Sequence, residues 1–249
     1  MNKLTENVIS WTREYLNSFG GNTKAIIGIS GGKDSSVAAA ICVAAVGKDR
    51  VIGIMMPNGY QHDQDKAKEL IDFLGIRYYD ININKITAEV NKSIENVYKC
   101  KESELSYVMR SNMPARIRMT TLYNIAAMEG DSRVVNTCNK SEDFVGYATK
   151  FGDGAGDFSP LSNLLVKEVK EIGHDIGLPN DLVEKKPEDG LSGKTDEDNL
   201  GFTYAELDEY IETGEINDVD KKEKIDRMHK NNLHKLLPML SFKVDTKYE

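Results

Sequence analysis

A cluster of glycine, serine and charged residues occupies positions 28–36, GISGGKDSS, directly after an apolar run. Glycines let a backbone bend so that its amide groups converge on an anion, serines supply hydroxyl donors, and the start of a following helix adds a partial positive charge. The residues expected to surround the anion are Gly28, Ser30, Gly31, Gly32, Lys33, Asp34 and Ser35. The stretch therefore predicts a phosphate-binding turn between a strand and a helix.

This turn differs from the P-loop pattern G-x-x-x-x-G-K-[ST]. Gly28 lies one residue too close to Gly32 and Lys33, and Asp34 stands where the pattern has a hydroxyl. A carboxylate would repel bare phosphate, but it is favourable if Mg²⁺ lies between the two, since the cation reverses the sign of the local field. The turn thus indicates a phosphate site that includes a metal ion. The plainer alternative is a tight turn with a helix cap.

Alternating strands and helices are predicted to position this turn. Strands are expected at 25–29, 51–56, 76–83 and 133–137. Helices are expected at 4–19, 35–46, 63–74, 86–97, 103–128 with a restart at Pro114, 166–176, 204–211 and 219–237. Strands separated by helix-length segments need crossover connections, and this order predicts a three-layer α/β fold with a doubly wound, mainly parallel sheet of about five strands.

Composition indicates a single enzyme domain, 1–249, in the cytoplasm. The net charge of −8 argues against a nucleic-acid partner. No apolar run approaches the ~18–20 residues that span a bilayer, so no membrane association is expected. The three cysteines lack metal-ligand spacing and are expected to be reduced thiols. Residues 181–200 are polar and contain glycine, which predicts either a disordered loop or a mobile lid.

The motif S-G-G-x-D-S resembles the signature of the ATP pyrophosphatase, or PP-loop, superfamily, whose enzymes cleave ATP between the α- and β-phosphates. Three later stretches, NMPARIRM at 112–119, NTCNKSEDFVGYATKFGDGAGD at 136–157 and HKNNLHKLLP at 229–238, resemble the ammonia-dependent NAD synthetases. The resemblance spans residues 28–238. It implies an adenine nucleotide alpha hydrolase-like fold, a homodimer, and the amidation of deamido-NAD to NAD with release of AMP and pyrophosphate.

The same resemblance implies a role for each matching residue. Asp34 and Glu142 would share Mg²⁺, and Thr137 and Lys167 would join the loop in binding ATP. The residues expected to bind deamido-NAD are Arg116, Lys150, Asp157, His234 and Lys235. Asp34, Glu142, Lys150 and Asp157 form the expected catalytic set, and Asp157 is the hypothesised acceptor of a proton from ammonium. ATP, ammonia and deamido-NAD are then the expected substrates. A chain of 249 residues is expected to have no room for an amidase domain, so nitrogen comes from free ammonia or a separate partner.

Some positions depart from the family pattern or allow a plainer interpretation. Asn136 stands where the family usually has glycine, Val166 where it has an ATP-binding lysine, and 187–190 where it has a P-T-A-D motif. Arg118 fits a solvated helix face equally well. His229-Lys230 repeats the His234-Lys235 pair, although Pro238 downstream favours the second copy.

Two other functions compete with this interpretation. The first is a different PP-loop reaction, such as tRNA thiolation, which would need a reactive cysteine; Cys138 is the nearest candidate. The second is a non-enzymatic adenine-nucleotide-binding module, which would not need two carboxylates around a metal.

Overall fold

Four parallel strands form the sheet of the computed structural model, which describes residues 1–59, 64–185 and 195–242. They are β1 (Lys24–Gly28), β2 (Val51–Met55), β3 (Arg77–Asp80) and β4 (Ser132–Val134), in the spatial order β3-β2-β1-β4. Just beyond β4, Val135 forms an isolated parallel bridge with Phe158. The predicted parallel α/β fold is confirmed, and the sheet of the described residues has four strands where about five were predicted.

Eleven α-helices surround the sheet within the described residues. They are α1 (Lys3–Asn17), α2 (Lys33–Val46), α3 (Gln64–Leu74), α4 (Asn84–Tyr98), α5 (Tyr107–Glu129), α6 (Lys140–Val145), α7 (Val166–Ile176), α8 (Asn180–Val183), α9 (Asp196–Leu200), α10 (Tyr204–Thr213) and α11 (Val219–Leu236). No helix in this part of the chain is long and apolar enough to cross a membrane.

The central strand β1 separates two hydrophobic cores, which makes the fold three-layered. Ile27 packs with residues of α1, α2 and α7 on one face, whereas Ile26 packs with Met119 and Leu122 of α5 on the other. Both isoleucines are fully buried, as expected for a strand of a parallel sheet that is covered on both sides. Since β1 and β4 are neighbours, the loops that follow them lie side by side at one edge of the sheet.

Helix α5 runs without interruption through Pro114, so the predicted restart is wrong. Proline has no amide hydrogen and leaves the carbonyl of Arg110 without its intrahelical partner. Packing compensates for this loss, since Pro114 is buried and both Met119 and Leu122 lie in the core under the sheet.

A third core joins α6 to the C-terminal helices. Val145 of α6 packs with Leu200, Leu207 and Ile225, which lie on α9, α10 and α11. The C-terminal helices thus support the short helix that carries Glu142. Residues 186–194 of the predicted lid lie outside the described residues, as does the segment that departs from the P-T-A-D motif.

Candidate active site

The loop between β1 and α2 has the backbone of an anion-binding turn. Gly31 has φ +79°, a conformation that side chains disfavour, and α2 begins two residues later. The first turn of a helix leaves amide groups without intrahelical acceptors. The hydroxyl of Ser35 donates to the carbonyl of Gly32 at 3.1 Å and lies 3.0 Å from the Ser30 hydroxyl, so these serines also brace the turn.

Lys33 is buried beneath this loop, where it bridges two carboxylates. Its Nζ lies 2.7 Å from Oδ2 of Asp34 and 4.0 Å from Oε1 of Glu142, and its side chain is 2% exposed. The ring of Tyr204 lies 5.5 Å from the same ammonium. The structure therefore brings Asp34 and Glu142 together around one positive charge, that of the Lys33 ammonium.

The pKa values of these groups reflect their burial. Burial lowers the pKa of Lys33, but the attraction of Asp34 and Glu142 outweighs this effect, and the net shift is upward. Burial raises the pKa of Glu142 well above its usual range; repulsion by Asp34 adds to the increase, and Lys33 opposes it. Burial at this site therefore favours the neutral form of Glu142, and the charge of Lys33 favours the ionised form.

Asn139 fixes the relative position of the two carboxylates. It is fully buried, its Oδ1 accepts from the Glu142 amide at 3.0 Å, and its Nδ2 donates to Oδ1 of Asp34 at 2.9 Å. One side chain therefore caps α6 and connects it to the β1–α2 loop. The sequence analysis missed this residue, although an Asn three positions before a Glu is a recognisable helix start.

Asp196 is a third carboxylate that the sequence analysis missed. It is buried at the start of α9, and its charge contributes to the raised pKa of Glu142. Tyr204 donates its hydroxyl to Asp196 Oδ2 at 3.5 Å. Asp196 belongs to the polar 181–200 segment, where composition gave no sign that a carboxylate would be buried beside the site.

The residues predicted to bind deamido-NAD form a second group between α5, the 151–157 loop and α11. Arg116 donates from Nε to the Lys150 carbonyl at 3.3 Å, and Lys150 donates from Nζ to the carbonyl of His234 at 2.6 Å. Lys235 Nζ donates to the Gly146 carbonyl at 2.7 Å. These hydrogen bonds link Arg116 to Lys150 and Lys150 to His234, and Lys235 is the next residue in the chain. Four of the five residues predicted to bind deamido-NAD thus lie together.

Asp157 lies at the edge of a cavity of about 310 Å³ that Asn136, Asp143 and Lys235 also line. Its Oδ2 accepts from the Val134 amide at 2.7 Å, and its Oδ1 accepts from the Tyr123 hydroxyl at 3.2 Å. Burial, together with the charge of Asp157, raises the pKa of Tyr123 to about 12, so this tyrosine remains a donor at neutral pH. Asp157 therefore anchors its own loop as well as facing the cavity.

The chain is similar to known proteins over nearly its whole length. The NAD synthase family model matches residues 4–246. The chain is 38% identical over 240 residues to an NH(3)-dependent NAD(+) synthetase of Archaeoglobus fulgidus, covering 94% of this chain and 93% of that protein. It is 36% identical over 246 residues to that of Finegoldia magna, covering 98% and 97%.

The chain belongs to the NAD synthase family. The resemblance inferred from the sequence is thus confirmed. Among solved structures, the chain is similar to the NMN synthetase of Francisella tularensis, with a TM-score of 0.87, 32% identity, and 97% and 98% of the two chains covered. It is also similar to the NH3-dependent NAD synthetase of Campylobacter jejuni, with a TM-score of 0.80, 26% identity, and 98% and 100% covered.

In this NAD synthase fold, the surroundings of Arg116 differ from those of Arg118, and the surroundings of His229 differ from those of His234. Arg116 is exposed, whereas Arg118 donates from Nε to the Met56 carbonyl at 3.0 Å and its pKa is lowered by burial, so the solvated-face interpretation of Arg118 is wrong. His229 stacks on the ring of Phe144 and donates to its carbonyl at 2.7 Å. His234 is exposed.

Lys167, the predicted ATP-binding lysine, forms an ion pair with Glu212 of α10. Its side chain is 54% exposed, and its neighbour Val166 is buried in the third core. Thr137 follows β4, the strand next to β1, and is in this respect placed as predicted.

Proposed function

We propose that this chain is an ammonia-dependent NAD synthetase, a C–N ligase that amidates deamido-NAD at the expense of ATP. The observation that carries the proposal is the convergence of Asp34 and Glu142 on one positive charge beside the SGGKDS loop. Membership in the NAD synthase family and the names of the curated relatives support it.

Asp34 and Glu142 fit a magnesium ion. Both carboxylates reach a single cation, and the described residues contain no group of three or more His, Cys, Asp or Glu side chains that could hold a metal alone. Mg²⁺ commonly takes one or two protein carboxylates and completes its shell with phosphate oxygens and water. When bound, it would neutralise charge that develops on the departing pyrophosphate.

Adenylation is the first of two chemical steps. A carboxylate oxygen on the pyridine ring attacks the α-phosphorus of ATP, a P–O–P bond breaks, and pyrophosphate leaves. The β1–α2 loop would hold pyrophosphate through its amides and the start of α2, while Arg116 and Lys150 would orient the dinucleotide. Catalysis at this step rests on position and charge.

Amide formation follows when ammonia attacks the carbonyl carbon of the acyl-adenylate and AMP departs. Ammonia is mostly NH₄⁺ near neutral pH, so the site must accept a proton. Asp157 is the proposed acceptor, since it lines the same cavity as Lys235.

An Asp157→Asn variant separates this role from loop anchoring. Asparagine can still accept from the Val134 amide but cannot take up the proton, so we expect amide formation to fall about a hundredfold while ATP–pyrophosphate exchange continues. Both rates are measured at several ammonium concentrations. Full amide formation in this variant would show that another group deprotonates ammonium.

The deciding experiment supplies ATP, Mg²⁺, ammonium and deamido-NAD and analyses the products. NAD, AMP and pyrophosphate in equal amounts would support the proposal, and ADP would refute it. Omitting ammonium should stop NAD formation.

Amidation of the mononucleotide, nicotinate mononucleotide, is a second candidate. It is favoured by the similarity to a protein named NMN synthetase, with a TM-score of 0.87 over 97% of this chain. The chemistry at the carboxylate is the same, so the two candidates differ only in the adenylate half of the substrate. Comparing kcat/KM for the two nicotinate nucleotides distinguishes them.

The tRNA thiolation alternative is disfavoured by the state of Cys138. This residue is 5% exposed, and burial, followed by nearby carboxylates, raises its pKa well above the usual value. A thiolate is the reactive form of cysteine, so a buried neutral thiol is poorly suited to sulfur transfer.

A cytoplasmic homodimer is the proposed setting. The three cysteines are free thiols, in keeping with a reducing compartment. Trp11 on α1 and Tyr107, Val108 and Met128 on α5 are large apolar side chains that remain exposed on one chain, and a second copy could cover them.

A further inference from the structure

Asn136 places its side-chain amide between β4 and the 151–157 loop. The residue is 8% exposed. Nδ2 donates to the carbonyls of Asp153 at 2.8 Å and Ala155 at 3.0 Å. Oδ1 accepts from the Cys138 amide at 3.0 Å and from the Ser159 hydroxyl at 3.0 Å. Both donors and both acceptor positions of this amide are therefore occupied.

The loop also packs closely against the backbone of Asn136. A Cβ added to Gly156 would lie 2.7 Å from the Asn136 Cβ and 2.8 Å from its amide nitrogen, closer than real Cβ atoms approach other atoms. The Asn136 amide donates to the Phe158 carbonyl at 2.8 Å, and the Asp157 amide donates to the Val134 carbonyl at 2.8 Å. The second half of the loop is thus bound along the end of β4.

This anchoring is needed because the loop carries little packing of its own. Phe151, Asp153, Gly154 and Asp157 are exposed, and Phe151 has φ +61°, an uncommon conformation for a bulky residue. The hydrogen bonds from Asn136 act on two carbonyls in the middle of the loop, where glycine would leave them without this partner.

We propose that Asn136 is a positioning residue that holds the 151–157 loop so that Lys150 and Asp157 face the pyridine carboxylate. The proposal rests on the proposed function for the identity of the substrate. Asn136 acts through the loop and takes no part in bond making or breaking.

Two substitutions separate the loop contacts from the contacts within the β4 segment. Asn136→Asp keeps an oxygen that accepts from Cys138 and Ser159, but it loses both donors and turns a carboxylate towards two carbonyls. Asn136→Ala loses all four contacts and adds no repulsion. If Asn136 only fills space, Asn136→Asp should retain more activity than Asn136→Ala. If Asn136 holds the loop through its two donors, Asn136→Asp should retain no more activity than Asn136→Ala.

We expect Asn136→Asp to raise the KM for deamido-NAD about tenfold, which corresponds to the loss of two hydrogen bonds, with the KM for ATP unchanged. The mononucleotide is measured in parallel. Ser159→Ala is the matched control: it removes one donor to Oδ1 and leaves both loop bonds, so each KM should stay within about twofold. An Asn136→Asp enzyme with the wild-type KM for both nicotinate nucleotides would overturn the proposal.

Hydrogen–deuterium exchange of the 151–157 segment tests the loop independently of turnover. The amides of Gly152, Gly154 and Asp157 are hydrogen-bonded within this region, so their exchange should accelerate in Asn136→Asp and Asn136→Ala and stay unchanged in Ser159→Ala. Wild-type exchange rates in both Asn136 variants would overturn the proposal even if the enzyme amidates neither nucleotide. If the wild-type enzyme amidates neither nucleotide but exchange is faster in both Asn136 variants, the proposed function is refuted. The proposal that Asn136 holds the loop then still stands.

Discussion

A Glu142→Gln enzyme is expected to lose about three orders of magnitude in kcat/KM for ATP at any Mg²⁺ concentration, because one of the two carboxylates that converge on the cation position becomes neutral. The fold should remain intact, since burial disfavours the charged form of this side chain and glutamine is neutral at every pH. Steady-state rates over a magnesium titration, together with thermal unfolding, measure both effects.

Asp143→Asn is the matched control for this experiment. Asp143 is the next residue on α6, but it lines the cavity that Asn136 and Lys235 also line. The magnesium dependence of the Asp143→Asn enzyme should therefore equal that of the wild-type enzyme. A Glu142→Gln enzyme that keeps more than one tenth of the activity would show that Glu142 is not needed for the metal-dependent step.

A Lys33→Met variant is expected to lose about 3 kcal/mol of unfolding free energy at neutral pH without metal. Methionine fills a similar volume but leaves Asp34 and Glu142 facing each other without the ammonium that lies between them. Denaturant titrations with and without Mg²⁺ measure the loss, and we expect the metal to restore more stability to this variant than to the wild type, because it replaces the missing positive charge.

The pH dependence of the Lys33→Met loss identifies its cause. Lys33 opposes the raised pKa of Glu142 in the folded state, so without the ammonium that pKa rises further above its value in the unfolded chain. The folded state then binds more protons above about pH 4.5, so the loss of stability grows as the pH rises towards 8. An equal loss at pH 5 and pH 8 would mean that Lys33 contributes packing alone. Lys167→Met is the control. Because Lys167 is exposed and paired with Glu212, its replacement should change the free energy of unfolding by no more than about 0.5 kcal/mol.

Helices whose ends depend on residues nearby in the chain were predicted from the sequence. Helix α7 begins and ends where it was predicted, because Gly177 and Pro179 stop it and an apolar face defines its length. The same kind of signal was wrong at Pro114, where packing under the sheet sustains the helix despite the missing hydrogen bond.

Site geometry depends on contacts between distant segments, which single residues do not reveal. Asp34 and Asn139 are 105 positions apart and meet only because β1 and β4 are adjacent. Motif resemblance predicted that Asp34 and Glu142 belong together, but it gave no sign that Lys33 lies buried between them. The pairing of Lys167 with Glu212 could not be predicted from the sequence either, since it depends on how α7 packs against α10.

The contacts between α6 and α11 fix the register of the C-terminal helix. His229, Asn232 and Lys235, three residues apart, bond to the consecutive carbonyls of residues 144, 145 and 146. A shift of α11 by one residue would break all three bonds at once. Insertions or deletions should therefore be tolerated in the connection before Val219 and not between positions 229 and 235, where these bonds set the length of the chain.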